Sequence, residues 1–142
     1  LHINMQLYIH SIIDSVISAH INTAKKITFT KEIDDLELSI DTALPLGIII
    51  NEGISNSLKH AFKDTQNARL DIILKPYDPN QYLLSIKDNG SGFLNKNSQN
   101  KSLGFELIEM LCAQINGSCT IGNSDNKIAS IGTSITIIFK SK

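Results

Sequence analysis

The chain has 142 residues, 42% of them hydrophobic, and a formal net charge of −1. That length suits one domain around one sizeable core. The near-neutral charge argues against general nucleic-acid or acidic-membrane binding, which needs a concentrated basic field, and the longest apolar run is too short to cross a bilayer. Leu1 does not open a signal peptide, and a start without Met reads as a piece of something longer.

Apolar Met5, Ile9, Ile12, Ile13, Val16 and Ile17 recur at helical spacing and predict a helix over residues 5–20. Ile27, Phe29 and Ile33 alternate with Thr28, Thr30 and Glu32, the mark of a half-buried strand. Asp34-Asp35 reads as a turn, and Leu36, Leu38 and Ile40 predict a second short strand. Asp41-Thr42 offers a helix N-cap, and Pro45 is tolerable in a first turn. The helix that follows, Leu44 to Lys63, has two unlike faces. Leu46, Ile50, Ile54, Leu58 and Ala61 fall on one side with Ser57 among them. Glu52, Ser55, Asn56, Lys59 and Lys63 fall on the other, with Asn51 and His60 at its flanks, and Ile48 strays among the polar residues. One carboxylate, carboxamides, a hydroxyl and an amine within a few turns look like a site; for this helix alone the solvated face is still the favoured reading, and the motifs further along the chain reverse it.

Ala68 to Lys75 reads as a strand with Leu70, Ile72 and Leu74 on one face; Pro76 to Asn80 reads as a turn. In the partner strand Tyr82, Leu84, Ile86 and Asp88 share a face, so a carboxylate ends a core-facing row, where it is costly unless paired. Asn89-Gly90-Ser91-Gly92 is a flexible turn, and Asn95 to Asn100 a mobile polar loop. Gly104, Leu107, Ile108, Leu111 and Ile115 predict another helix, closed by Asn116-Gly117. Cys119 to Gly122 is a strand, Asn123 to Lys127 a turn, and Gly132-Thr133 opens a last strand with Ile135, Ile137 and Phe139 on one face. Cys112 and Cys119 lack the further ligands of a metal site; they read as buried free thiols in a reducing compartment, with a disulfide as the alternative. Blocks of helix and hairpin predict a mixed sheet with helices on one side.

The polar helix face, the inward Asp88 before a glycine-rich turn, and a polar loop leading to Gly104 occur in an order that resembles the ATP-binding domain of sensor histidine kinases. That superfamily also holds the gyrase, Hsp90 and MutL ATPases. Asn51-Glu52-x-x-Ser55-Asn56-x-x-Lys59-His60-Ala61 is similar to its N box, Asp88-Asn89-Gly90-Ser91-Gly92 to its first glycine box, and Lys101-Ser102-Leu103-Gly104 to a single-glycine form of its second. Gly132-Thr133 is similar to the last element. The resemblance covers residues from about 25 to 140 and is carried by four motifs in order. It departs from the family pattern in the missing second glycine of that box and in a short lid without a Phe-rich motif.

The resemblance implies an α+β Bergerat ATP-binding fold, a two-layer α/β sandwich whose mixed, mainly antiparallel sheet is covered on one face by about three helices. It implies Mg-ATP as the ligand. Asp88 would accept from the adenine amine, with Gly90 and Gly92 letting the backbone come close and Thr133 either supporting the base or serving as an ordinary strand residue. Asn56 would hold magnesium through a neutral carbonyl oxygen, and Glu52 would act as general base or orient the attacking group, the alternative being an ordinary helix-surface Glu. Lys59 would meet phosphate or remain a solvated lysine, and His60 and Ser55 would join the site or be structural. Ser102, Leu103 and Gly104 would present backbone N–H groups to the phosphates beneath a lid over residues 93–101, with Lys96 and Lys101 as further contacts.

His2, His10 and His20 lack the acidic or basic neighbour of a phosphoacceptor. The expectation is therefore one domain over 1–142, the cytoplasmic catalytic half of a two-component kinase. Its partners are ATP, a phosphoacceptor hairpin on the same or a partner chain and, indirectly, a response regulator, with no nucleic acid and no direct membrane contact. The alternatives are a nucleotide-binding regulatory module without transfer activity and an anti-sigma-factor-type serine kinase.

Overall fold

Alternation in the strands and 3.6-residue spacing in the helices sort the apolar side chains onto facing surfaces, and a computed structural model shows how they meet. It describes residues 1–91, 103–123 and 132–141. In chain order the elements are β1 (His2–Asn4), α1 (Met5–Ala19), the short α2 (Ile21–Ala24), β2 (Thr28–Ile33), β3 (Glu37–Ser39) and α3 (Ile40–Asn56). A π-helical turn (Ser57–Ala61) follows, then β4 (Arg69–Asp78), β5 (Gln81–Asp88), α4 (Leu103–Gln114), β6 (Ser118–Gly122) and β7 (Ser134–Lys140). Five strands form one sheet in the order β2-β4-β5-β7-β6; only β2 and β4 run parallel, and the rest are antiparallel. The mixed sheet packs against the helices as a two-layer sandwich. α3 packs against both α1 and α4.

The core is where sheet and helix rows meet. Leu70, Ile72 and Leu74 of β4 stand opposite Asp88, Ile86 and Leu84 of β5, and Ile86 and Leu84 stand opposite Ile135 and Ile137 of β7. All of these apolar residues are 3% exposed or less, so the row that ends in Asp88 is core from Leu84 onward, with Tyr82 half-buried at its start. Tyr82 stacks on Phe139 with ring centroids 5.6 Å apart. From the helices come Met5, Ile9 and Ile13 of α1, Leu46, Ile50 and Ile54 of α3, and Ile108 of α4. Gly53 lets α3 lie close on the sheet, for a Cβ there would meet Ile86 Cδ1 at 2.9 Å. Among the described residues no helix is long and apolar enough to cross a membrane.

Several boundaries differ from the sequence reading. The first two strands do not pair with each other. β3 pairs with β1, a three-residue strand too short to leave a period in the sequence, and β2 pairs with β4. α3 begins after Ser39, not at the Asp41-Thr42 cap, because the Leu1 carbonyl accepts the Ile40 N–H at 3.1 Å and supports an earlier start. That leaves Pro45 in the second turn, buried. β4 runs on to Asp78, and the hairpin closes through Pro79 and Asn80, the latter at φ 65°, with a bulge between Pro76 and Asp78. At the end of α4 the left-handed residue is Asn116, φ 55°, while Gly117 donates back to the Cys112 carbonyl at 2.9 Å. Cys112 and Cys119 are both free.

Candidate functional site

The long polar-faced helix is not one α-helix. It is α-helical to Asn56 and then widens into the π turn Ser57–Ala61. Such insertions re-aim side chains and are frequent at functional sites. Ser57, where the π turn begins, still donates its N–H to the Gly53 carbonyl as in an α-helix, and its hydroxyl, in an apolar row, stands against the end of β5.

Asp88 is 4% exposed and Ser57 7%. Ser57 Oγ donates to Asp88 Oδ2 at 2.7 Å. The Gly90 N–H donates to Oδ1 at 2.9 Å, and the Thr133 N–H to Oδ1 at 3.0 Å. The Asp88 N–H in turn donates to the Thr133 carbonyl at 3.0 Å, so Thr133 sits one step before β7 as a direct neighbour of the carboxylate. Burial pushes the Asp88 carboxyl above its ordinary value of 3.8, and the bonds from Ser57, Gly90 and Thr133 pull the other way. Each of these three donors, the Ser57 hydroxyl and the Gly90 and Thr133 N–H groups, is neutral.

Gly90 lies against the π turn so closely that a Cβ would collide with the Ala61 carbonyl. The Ser91 N–H donates to that same carbonyl at 2.9 Å, and the Gly132 N–H to the Gly90 carbonyl at 2.8 Å, with Gly132 at φ 65°. Asn89 ties the turn sideways: its Oδ1 accepts the Arg69 N–H at 2.7 Å and its Nδ2 donates to the Asn67 carbonyl at 2.9 Å. The glycine-rich turn is thus fastened to α3, β4 and the approach to β7 at once.

A second cluster adjoins the first through the Asn56–Ser57 step. A Cβ on Gly104, in the first turn of α4, would lie 2.7 Å from Asn56 Nδ2 and 3.0 Å from Glu52 Oε2. The structure therefore brings Glu52, Asn56 and the start of α4 to one place. Asn56 Nδ2 is buried with no hydrogen-bond partner among the described residues. A buried amide without a partner is costly, and its presence marks a cradle for a ligand oxygen. Asn56 and Glu52 supply the oxygen donors that magnesium takes, with water completing its shell, so the residues fit that ion.

Lys59 and His60 are exposed on the π turn. They line an open cleft of about 780 Å³ with Asn22, Lys26 and Lys63, a cleft that includes neither Asp88 nor Asn56. Ser55 is half-buried on α3. Leu103 opens α4. Gly92, Ser102, Lys96, Lys101 and the expected lid over 93–101 lie outside the described residues. The reading of the sequence left Ser57 on the buried face and out of the site; the signal for it was a lone hydroxyl among buried aliphatic positions. The Ala61 carbonyl carries no sequence signal, since every residue has one.

The sequence pattern of the family described as "Histidine kinase-, DNA gyrase B-, and HSP90-like ATPase" matches residues 41–142. Blue-light-activated histidine kinase 2 of Erythrobacter litoralis is 24% identical over 116 residues, a match that takes in 75% of this chain and 34% of that protein. The chain thus spans about a third of that relative's length (34%). Among solved structures, the histidine kinase domain of the Erythrobacter litoralis EL346 blue-light-activated histidine kinase superposes with a TM-score of 0.82 at 19% identity, over 98% of this chain and 62% of that one. The mycobacterial sensor histidine kinase MprB superposes with a TM-score of 0.77 at 18% identity, over 100% of this chain and 99% of that one. Likeness at these identities speaks for the fold, while the family pattern runs through α3, the Asp88 turn, α4 and β7. The chain belongs to the histidine kinase-, DNA gyrase B- and HSP90-like ATPase family.

Proposed function

We propose that this chain is a single ATP-binding catalytic domain of a two-component sensor kinase. It binds Mg-ATP in the cytoplasm and offers the γ-phosphate to a histidine on a separate helical hairpin, on the same or a partner chain, from which a response regulator is charged. The observation that carries the reading is Asp88: a carboxylate buried among neutral donors, at the edge of a cradle, is the acceptor an adenine amine needs and a guanine carbonyl repels. Gly90 keeps the backbone close, and Thr133 supports the carboxylate from β7. Asn56 holds magnesium through Oδ1, leaving Nδ2 to donate to a phosphate oxygen or a water. The ion, when bound, would neutralise charge on the phosphate oxygens. Glu52 receives the proton of the attacking imidazole or orients it. Gly104 and Leu103, at the start of α4, offer N–H groups to the phosphates, with Ser102 a further candidate, and Lys59 and His60, on the π turn after Asn56, are candidates for meeting phosphate charge. Glu52 and Asn56 standing together favour a transferring enzyme over a purely regulatory module.

Titration calorimetry with ATP, ADP and GTP, with and without magnesium, tests this. ATP and ADP bind, GTP binds weakly, and Asp88→Asn weakens ATP by about 1.5–3 kcal/mol, the range for a hydrogen bond to a charged group. Equal affinity for GTP would remove Asp88 from the role. In a kinase carrying the hairpin, Glu52→Gln slows transfer roughly a hundredfold or more while leaving ADP affinity near wild type. Loss of ADP binding in that variant would make Glu52 structural instead.

A further inference from the structure

We propose that Ser57 is a positioning residue for the adenine-recognising carboxylate, holding Asp88 Oδ2 as an acceptor and so setting both the acid limit and the purine selectivity of nucleotide binding. The inference deepens the reading of Asp88 above and rests on it.

Asp88 accepts from two backbone N–H groups, Gly90 and Thr133, and both bonds fall on Oδ1. A side-chain bond, from Ser57 at 2.7 Å, falls on Oδ2. Both partners are buried, so bulk water does not stand in for the hydroxyl. Burial is the largest influence on this carboxyl and favours its neutral form; Ser57 opposes it. Removing the hydroxyl therefore tips Asp88 toward protonation. A protonated carboxyl loses acceptor capacity toward an exocyclic amine and gains a donor that suits a guanine carbonyl. Acid sensitivity and loss of selectivity should appear together.

The charged groups on the elements around Asp88 are Asp41 and Glu52 on α3, Lys59 and His60 on the π turn, Glu106 and Glu109 on α4, Arg69, Asp71, Lys75 and Asp78 on β4, Lys87 on β5 and Lys140 on β7. Arg69 is paired with Asp71 at 2.8 Å at the surface, and Lys87 is exposed at an odd position of β5, off the Asp88 face. The test therefore includes a background in which Asp88 cannot titrate.

The 142-residue chain is titrated with Mg-ATP and Mg-GTP from mildly acidic to neutral pH, with circular dichroism as a check on folding. At neutral pH Ser57→Ala binds ATP roughly tenfold more weakly, the lower end for a bond to a charged group. Its acid limb moves to higher pH, and its preference for ATP over GTP shrinks. Ser57→Thr keeps the hydroxyl and restores all three readouts. Ser57→Cys, close in size but a weak donor, behaves like the alanine variant. In an Asp88→Asn background, Ser57→Ala has no effect on the pH profile. The proposal falls if Ser57→Ala keeps the wild-type acid limb, if cysteine serves as well as serine, or if the pH effect survives in Asp88→Asn. Failure of the wild type to bind ATP, or of Asp88→Asn to weaken it, overturns the functional reading itself and this inference with it.

Discussion

Asp88 sits where a hydrophobic residue would be most stabilising, opposite Leu70 and at the end of the Leu84–Ile86 row. Its carboxyl value is raised by burial, which fixes the sign of its linkage to folding. A raised acid contributes stability that is fully present below its unfolded value, near 3.8, and that is lost as pH rises through the folded value. At neutral pH the ionised group thus costs stability. Asp88→Asn keeps the shape, with Ser57 turning to accept from the new amide. The expected outcome is a higher melting temperature for the nucleotide-free chain at neutral pH, a difference that closes in acid, and weaker ATP binding. Thermal denaturation at two pH values checks it, and a lower neutral melting temperature would show that the charge stabilises the fold. The two thiols make a second residue-scale case. Burial, with Cys112 and Glu109 nearby, pushes the Cys119 thiol up to about 12. Only a trace of thiolate exists at pH near 8, so alkylation of Cys119 should be far slower than that of a free thiol. Labelling at the rate of a small thiol would contradict this.

Two glycines mark close approaches between elements, and they differ in what surrounds them. Gly90 faces the Ala61 backbone, which is part of the π turn and has no room to give. Gly90→Ala should destabilise the domain by about 1–3 kcal/mol, the range for an overpacked site, as read by denaturant unfolding. Gly104 faces the ends of two flexible side chains, Asn56 and Glu52. Gly104→Ala should leave the fold intact, because those ends can move, while displacing them from the site and weakening both ATP binding and its magnesium dependence. Unchanged binding would mean that α4 does not help to shape the cradle. The π turn links the two contacts, since Ser57 touches Asp88 while Asn56, one residue earlier, touches the start of α4.

At the scale of the whole chain, all four histidines sit on or beside helices and strands. His2 is in β1, His10 and His20 are on and just after α1, and His60 is on the π turn. His10 Nδ1 already contacts the Gln6 carbonyl at 2.8 Å. Phosphoryl transfer depends almost wholly on positioning, and an imidazole on a packed element cannot swing to in-line attack. The isolated chain should bind ATP without becoming phosphorylated, and a hairpin supplied in trans should take the label slowly. Incubation with γ-labelled ATP, followed by acid and base treatment, reads this out. Acid-labile, base-stable label on the 142-residue chain would show that one of its own histidines is an acceptor.

Local patterning carried most of the elements, the buried stripe of α3 and the inward Asp88, because helix and strand periods are written into neighbouring residues. The resemblance to short family motifs brought Glu52, Asn56 and the Asp88 turn forward as candidates, because each motif is a short run. Tertiary structure decided what pairs across distance. β3 chose β1 over β2, a matter of long-range register that a three-residue strand leaves no trace of. The Leu1 carbonyl moved the start of α3, and the packing of α3 on β5 set Ser57, still in the buried row, against the Asp88 carboxylate. Helical spacing shows that a hydroxyl is buried but cannot foresee its partner, because that is decided by what stands opposite, here the end of β5.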